Sequence, residues 1–186
     1  MAKLLEDARL SPKDTLLAKR LVGTKAPDWQ VNSWLNADPI QLTDLLGKVV
    51  LVRWFTEGCP FCSATAPSLN HFYQQYHKQG LEVIGFYHHK SKEPLEVERV
   101  HRYAKQLKFN IPVAIDYDWQ TLQNWWLDQA SLRWTSVSFL IDRQGNIQYV
   151  HPGGAYIAGD ADYKAISAKI EQLLGETNIS SQSNKR

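Results

Sequence analysis

The sequence predicts an α/β domain of three layers, in which helices cover both faces of a central mixed β-sheet. The run at 49–55 is almost continuously apolar and β-favouring, as expected of a strand covered on both faces. Strands and amphipathic helices then alternate as β-α-β-α before a hairpin and a last helix. With 186 residues, 44% of them hydrophobic, the chain is long and apolar enough to bury one core.

The N-terminal part is expected to extend that domain. Ser11 caps a short amphipathic helix that begins at Pro12 and ends before Gly23. Apolar and polar residues mix over 26–44 around a proline turn, which predicts a small hairpin. The predicted organisation is a helical extension over 1–22, a main domain over 23–174 and a disordered polar tail over 175–186.

The other elements are predicted from the period of the apolar residues. A period near 3.6 indicates a helix, and alternation or a short apolar run indicates a strand. In chain order these elements are a strand at 49–55, a helix from 60 to Gly80, a strand at 81–87, a helix at 94–108, a strand at 111–115, a helix at 120–128, a hairpin of 137–141 with 147–150, and a helix at 162–174.

Charge and cysteine content exclude several classes of function. The 21 Lys and Arg nearly balance the 19 Asp and Glu, so nucleic acid is not expected as a partner. Two cysteines are too few for a disulfide-stapled scaffold or a four-thiolate zinc site. No apolar run approaches the roughly 18 residues of a membrane span. Because no signal-peptide pattern follows Met1, the sequence predicts a cytoplasmic protein.

The two cysteines stand where a predicted strand passes into a predicted helix. A thiol at a helix N-terminus lies near unpaired N–H groups and the positive end of the dipole, which stabilise a thiolate. Cys59 is therefore the predicted nucleophile. Pro60 suits the first helical position, where no N–H is needed. Cys62, one turn further, is placed to resolve a mixed disulfide at Cys59.

Two other interpretations of this pair are weaker. Free cysteines are often small buried apolar residues, but that does not account for their place at the strand-to-helix junction. A zinc site would need further ligands, and the sequence has no second cysteine pair and no histidines with finger-like spacing. No metal site is expected.

Six segments occur in the order of one known family. They are GTKAPDW at 23–29, GKVVLVRWFTEGCPFCSATAP at 47–67, GLEVIGFYH at 80–88, IPVAID at 111–116, SFLIDRQGNI at 138–147 and HPGGAY at 151–156. With them the chain resembles the thioredoxin-like redoxins, most closely the TlpA-like and DipZ-like thiol-disulfide oxidoreductases. The resemblance implies a thioredoxin fold and a role in antioxidant activity and cell redox homeostasis.

The resemblance also implies the chemistry and the partners. Cys59 would attack substrate disulfides and Cys62 would resolve, without an organic cofactor. The expected partners are a disulfide-containing protein or low-molecular-weight substrate and a thiol reductant for recycling. The surroundings of this redox-active pair are predicted to include Thr56, Gly58, Pro60, Phe61 and Ser136.

Three features depart from the family's pattern. Ser136 replaces the usual cis-proline beside the dithiol. A cis bond before a non-proline residue costs about 3 kcal/mol, so we expect a trans bond and an altered substrate groove. Gly58 replaces a tryptophan, which should leave the site more open. Where relatives have a buried carboxylate, this chain has Arg53 or Thr65, neither of which serves as a base.

Arg53 gives rise to a hypothesis. If its guanidinium points toward the dithiol, the positive charge lowers the thiol pKa and makes the pair more oxidising than thioredoxin. The alternative is an arginine on an exposed part of the strand, or one paired with Glu57 or Asp44.

Histidine and tryptophan residues offer weaker candidates. His88, His89 and His151 would line the site or bind a metal, although polar surface is the simpler expectation for a histidine in a loop. Four tryptophans are candidates either for the core or for the border of a substrate groove, with core packing as the default. They are Trp119, Trp125, Trp126 and Trp134.

Two alternative functions stay open. Thr56 and Cys59 have the Thr-x-x-Cys spacing of a peroxiredoxin-like thiol peroxidase, but the upstream proline of those enzymes and their arginine at the position of Ser136 are absent. The other alternative is a thioredoxin-fold binding module or redox sensor. Retention of both cysteines and Pro60 argues against that module.

Overall fold

A six-stranded sheet organises the part of the chain that the structure, a computed structural model, describes: residues 11–29, 31, 33–130 and 134–176. The strands are β1 (Trp34–Leu35), β2 (Val49–Phe55), β3 (Leu81–His88), β4 (Val113–Asp116), β5 (Ser138–Ile141) and β6 (Ile147–His151). The helices are α1 (Pro12–Leu21), α2 (Pro60–Tyr76), α3 (Val97–Gln106), α4 (Gln120–Leu122) and α5 (Ala161–Gly175). A π-helical turn, Gln123–Leu127, continues α4, and 3₁₀ turns occupy Leu42–Leu45 and His77–Gln79.

The strand order is β1-β4-β3-β2-β5-β6. Strands β2, β3 and β4 run parallel, whereas β1, β5 and β6 each pair antiparallel with their neighbours. The sheet is therefore mixed, as predicted. Its parallel centre brings the carboxyl ends of β2, β3 and β4 to one edge, where β2 continues toward the cysteines.

Two apolar cores lie on the two faces of the sheet, and β2 contributes to both because its side chains alternate. Leu51 and Phe55 pack in the core under α2, α3 and α5. Val52 and Trp54 pack in the core under α1 and α4. Trp54 stacks on Phe86 with ring centroids 4.9 Å apart. This arrangement confirms the predicted three-layer α/β class.

The hairpin predicted over 26–44 is wrong. Within this stretch the described residues form one strand, β1, and its partner is β4, with Trp34 opposite Ala114. The apolar residues that suggested a hairpin have another reason: Trp29 and Val31 are buried in the core under α1 and α4. The apolar spacing in this stretch therefore reflects burial of an irregular segment in the core, and not the pairing of two strands.

The ends of the chain are only partly described. Helix α1 packs Leu17 and Ala18 into the core, and Ser11 caps it by accepting a hydrogen bond from the Asp14 N–H (3.1 Å). The predicted disordered tail falls almost wholly outside the described residues, as does the start of the 1–22 extension, so these boundaries stay predictions. Within the described ranges, no helix combines the length and apolarity that crossing a bilayer requires.

Gly85 shows how closely β3 packs against the side chain of Phe55 at the end of β2. A Cβ at this position would lie 2.9 Å from Cε1 of Phe55. The Phe55 ring is itself held edge-on against Tyr87 and Phe109, at 5.6 and 5.3 Å between centroids. We therefore expect Gly85→Ala to lower the free energy of unfolding by about 1–3 kcal/mol, measured by urea denaturation.

The matched control is Gly175→Ala at the end of α5, where an added Cβ meets nothing within 4 Å. We expect it to leave the unfolding midpoint nearly unchanged. Equal midpoints for both alanine variants would show that the space above Gly85 does not constrain the fold.

Candidate functional site

The dithiol sits at the first turn of α2. Cys59 is the N-cap residue, and its Sγ accepts a hydrogen bond from the N–H of Cys62 at 3.2 Å. The two cysteines are joined as a disulfide, with their Cα atoms 5.3 Å apart. Pro60 takes the first helical position, as expected. The same N–H that contacts the sulfur in the disulfide is positioned to stabilise a thiolate at Cys59 after reduction.

The two cysteines differ in exposure. Cys59 is partly exposed, whereas Cys62 is buried at 3% and packs in the core under α2 with Ala66 and Leu69. An attacking group from solution therefore reaches Cys59 first. This is the asymmetry that the proposed roles of nucleophile and resolving thiol require.

Gly58 forms the turn that leads from β2 into α2. Its φ of 73° lies in the left-handed region, which glycine adopts without strain. An added Cβ would meet nothing within 4 Å, so the backbone angle, not the space, favours glycine here. The residue is exposed, and as a glycine it places no side chain of its own over Cys59.

A groove of about 260 Å³ opens beside Cys59. Its lining residues are Thr56, Glu57, Gly58, Cys59, Pro60, Phe61, Lys90, Trp134, Thr135 and Ser136. Six of the predicted site residues are thus brought together at this groove, while Cys62 and Arg53 lie outside its lining. Lys90, at the turn after β3, and Glu57 are lining residues that the sequence did not single out.

One wall of the groove is aromatic. Phe61 and Trp134 meet edge to face, with ring centroids 5.2 Å apart. The carbonyl oxygen of Trp134 accepts a hydrogen bond from Nε1 of Trp126 at 3.1 Å, which fixes the wall to the core. Trp125 and Trp126 are buried, and Trp119 packs on His88. Of the four candidate tryptophans, Trp134 borders the groove.

The floor of the groove contains the replacement for the usual cis-proline. Ser136 is buried at 4%, next to Thr135 at 9%. None of the peptide bonds in the described ranges is cis, so the bond before Ser136 is trans, as expected.

An ion pair holds the loop before Cys59. Nε of Arg99 on α3 donates to Oε2 of Glu57 at 2.6 Å. The carboxylate of Glu57 raises the pKa of Arg99. Glu57 is therefore engaged with α3, and the proposed pairing of Glu57 with Arg53 is wrong. Asp44 instead accepts a hydrogen bond from the Gln41 N–H.

Arg53 is buried on the α2 side of β2, with 1% of its surface exposed. Its Nη2 donates to the carbonyl oxygen of Gly154 at 2.6 Å, and its Nη1 donates to Oγ of Ser138 at 3.3 Å. The guanidinium carbon lies 5.3 Å from the ring centroid of Tyr156. The expectation of an exposed arginine is therefore wrong. Burial lowers the pKa of Arg53 to about 10, which still leaves it charged at neutral pH.

The expectation of polar surface is also wrong for two of the histidines. His88 and His151 end β3 and β6, and they are 0% and 2% exposed. Nε2 of His151 lies 3.3 Å from Oδ2 of Asp162. Neither histidine belongs to a metal-binding cluster, because among the described residues no group of three His, Cys, Asp or Glu is arranged to hold an ion.

Comparison with known proteins identifies the family. The model of the AhpC/TSA family matches residues 22–150, which include strands β1 to β5, β6 except for its last residue, and the dithiol. Because this match covers more than half of the chain, the chain belongs to the AhpC/TSA family. Its fold is thioredoxin-like, and the predicted membership of the thioredoxin-like redoxins is confirmed.

One group of named relatives has the class that the sequence predicted, that of thiol-disulfide oxidoreductase. The thiol-disulfide oxidoreductase ResA of Bacillus cereus is 30% identical over 129 residues, which cover 69% of this chain and 68% of ResA. The protein DipZ of Mycobacterium bovis is 29% identical over 155 residues, 81% of this chain. The match spans only 21% of DipZ, so the chain corresponds to about a fifth of that relative.

Solved structures share the fold. The crystal structure of a thiol:disulfide interchange protein DsbE from Chlorobium tepidum superposes with a TM-score of 0.68 at 25% identity, over 83% of this chain and 98% of that one. A thiol-disulfide isomerase from Corynebacterium glutamicum superposes with a TM-score of 0.63 at 26% identity, over 82% of this chain and 98% of that one.

The burial of His88 predicts a pH dependence of stability. Burial, aided by the charge of Lys90, lowers the pKa of His88 to about 3. An unfolded histidine takes up a proton near pH 6.5, while folded His88 stays neutral, so the unfolded state binds more protons as the pH falls. Stability is therefore lost progressively from pH 6.5 toward 3, by about 2–3 kcal/mol at pH 4.5 from this residue.

Urea unfolding at pH 7 and pH 4.5 measures this dependence. We expect His88→Phe to reduce the difference in the free energy of unfolding between pH 7 and pH 4.5, whatever its effect on stability at pH 7. His71→Gln, which removes an exposed histidine on α2, is the matched control and should keep the wild-type difference. A His88→Phe protein with the full wild-type difference would refute the assignment.

Proposed function

We propose that this chain is a thiol-disulfide oxidoreductase that exchanges its Cys59–Cys62 pair with disulfides of proteins or small molecules. One observation carries the proposal: a partly exposed Cys59 at the N-cap of α2, with the Cys62 N–H directed at its sulfur. The named relatives support the same class of reaction.

The reduced form starts the exchange. The thiolate of Cys59 attacks one sulfur of a substrate disulfide, a Cys59–substrate bond forms, and the other substrate sulfur leaves as a thiolate. The thiolate of Cys62 then attacks Sγ of Cys59 and releases the second substrate sulfur. The substrate has gained two electrons, and the protein ends as the disulfide seen in the structure. A thiol reductant restores the dithiol.

The groove supports a protein substrate with an extended segment beside its cysteine. At about 260 Å³ and open to solvent, the groove has room for one or two side chains next to Cys59. Phe61 and Trp134 offer an apolar wall to one of them. Lys90 offers a positive charge at the groove, which favours an acidic residue near the substrate cysteine.

The geometry favours this reaction over a peroxidase. Thr56 lines the groove near Cys59, as a Thr-x-x-Cys peroxidase needs. The cation in the lining is Lys90, however, and the guanidinium of Arg53 is directed at Gly154. The groove therefore lacks the arginine that the peroxidase interpretation requires for binding peroxide.

The proposal predicts that reduction of insulin disulfides by dithiothreitol is accelerated by the wild type and not by Cys59→Ser. Without Cys59 the remaining thiol is buried at 3% and cannot start the exchange. Cys62→Ser should also lose turnover while retaining the first attack. The measurement is the rate of insulin precipitation at equal protein concentration.

Ser63→Ala is the matched control, because Ser63 is exposed on the same helical turn and carries no thiol. It should retain the wild-type rate. Equal background rates in the wild type and Cys59→Ser would contradict the proposal. Peroxide consumption that needs Cys59 would then favour the peroxidase, and a partner held equally by the double serine variant would favour the binding module.

For the compartment, we propose the cytoplasm. The proposal is supported by the use of cysteine, since the chain has only the two that form the redox pair and none for structural bridges. Fractionation of cells that express the full natural protein tests it, and recovery outside the cytoplasm would refute it.

A further inference from the structure

Arg53 is a buried cation without a carboxylate partner in the described ranges, where the ion pairs involve other residues. Its two hydrogen-bond acceptors, the carbonyl of Gly154 and the hydroxyl of Ser138, are neutral. A charge that is taken out of water without an opposite charge is destabilising. In the disulfide form of the protein, the positive charge of Arg53 is therefore unbalanced.

The guanidinium lies on the face of the sheet that α2 covers. Leu51 and Phe55, two positions to either side along β2, pack in the same core as Cys62. Side chains alternate along a strand, so Arg53 points to that core as well. Cys62 is the buried member of the dithiol.

Tyr156 connects the guanidinium to α2. Its ring centroid lies 5.3 Å from the guanidinium carbon. Its backbone N–H donates to Oγ1 of Thr65 at 3.3 Å, and its carbonyl accepts from Oγ of Ser68 at 3.0 Å. Thr65 follows Cys62 by three residues, which is about one helical turn. Tyr156 thus contacts both the cation and the helix that begins at the dithiol.

No carboxylate in the described part of the chain forms an ion pair with Arg53, and the buried titratable groups beside it are neutral. Burial raises the pKa of Tyr156, which keeps the phenol protonated. Burial lowers the pKa of His151 on β6 and of His88 on β3, which keeps both neutral. Asp162 on α5 is ionised, but its side chain is 57% exposed and contacts His151, not Arg53. Reduction of the disulfide would add a buried negative charge on this side of the sheet.

We propose that Arg53 stabilises the thiolate of the reduced pair and so makes the chain an acceptor of electrons, whose substrates are dithiols of partner proteins. This inference rests on the proposed thiol-disulfide exchange and assigns its direction, which is the reverse of the reductive cycle described above. Arg53 acts through the cysteines, as a residue that sets their potential, and touches no substrate. A stabilised thiolate favours the reduced form, so loss of this stabilisation shifts the equilibrium toward the disulfide.

In the oxidising step the partner dithiol supplies the two electrons. A partner thiolate attacks Sγ of Cys59, the Cys59–Cys62 bond breaks, and Cys62 leaves as a thiolate opposite the charge of Arg53. The partner's second thiolate then attacks the partner's first sulfur, which is bonded to Cys59 in the mixed disulfide, and Cys59 leaves as a thiolate. The partner loses two electrons and becomes a disulfide, the protein gains them, and the two thiol protons pass to solvent or to the cysteines.

The reduction potential tests the proposal. Wild type, Arg53→Met, Arg53→Lys and Arg143→Met are each equilibrated at pH 7 in glutathione buffers, and the reduced fraction is measured by alkylation. We expect Arg53→Met to shift the equilibrium about tenfold toward the disulfide, which is a fall of about 30 mV in potential. Arg53→Lys keeps a positive charge and should stay close to the wild type.

Arg143→Met is the matched control. Arg143 also donates to backbone carbonyls, those of Gly47 at 2.6 Å and Leu174 at 3.4 Å, but Gly47 lies before the start of β2, at the end of the strand away from the dithiol. Its potential should equal that of the wild type. An unchanged potential in Arg53→Met, or an equal fall in Arg53→Lys, would overturn the proposal.

A measurement on the wild type keeps the test valid if Arg53→Met does not fold. Urea unfolding at pH 8 should show that the reduced protein is more stable than the oxidised protein, because reduction supplies the missing negative charge. Greater stability of the oxidised form would overturn the inference. Insulin reduction that still depends on Cys59, together with an unchanged potential in Arg53→Met, would refute this inference and leave the proposed function intact.

Discussion

The junction between β2 and α2 is the constraint on which the site depends. Strand β2 is buried on both faces, so its path and its end at Phe55 are fixed by two cores. Gly58 turns the chain, and Cys59 caps the helix that packs back on the sheet. The sulfur of Cys59 is therefore held at a helix N-terminus by the whole domain, and its reactivity follows from that position.

The same junction puts the two thiols in different environments. Cys59 faces the open groove, while Cys62 lies in the core that also contains the polar contacts of Arg53 and Tyr156. A buried cation in that core is costly in the disulfide form and better tolerated beside a thiolate. The proposed role of Arg53 thus couples the burial of one charged side chain to the redox state of the pair.

The sequence predicts well what local pattern determines. The apolar run of β2 and the CxxC at the following helix start can be read directly, because both depend on residues close in the chain. The hairpin over 26–44 was wrong because the partner of β1 is β4, about eighty residues later (Trp34 with Ala114). Pairing over such distances leaves no local signal.

The surroundings of the site were less predictable for the same reason. Alternation along a strand cannot tell which face Arg53 takes, and only the packed sheet shows that it faces Ser138 and Gly154. The ion pair of Glu57 with Arg99 joins residues 42 positions apart. His88 looked like a polar loop residue, whereas the end of β3 buries it. These features need the three-dimensional arrangement.

The reactivity of each thiol alone tests the central claim most directly. An aromatic disulfide such as dithionitrobenzoate reacts with Cys59 in Cys62→Ser and with Cys62 in Cys59→Ser, and absorbance gives both rates at pH 7. The account predicts that Cys59 reacts at least roughly tenfold faster and retains the mixed disulfide, because it is the accessible thiol at the helix N-terminus. Equal rates, or a faster Cys62, would contradict it.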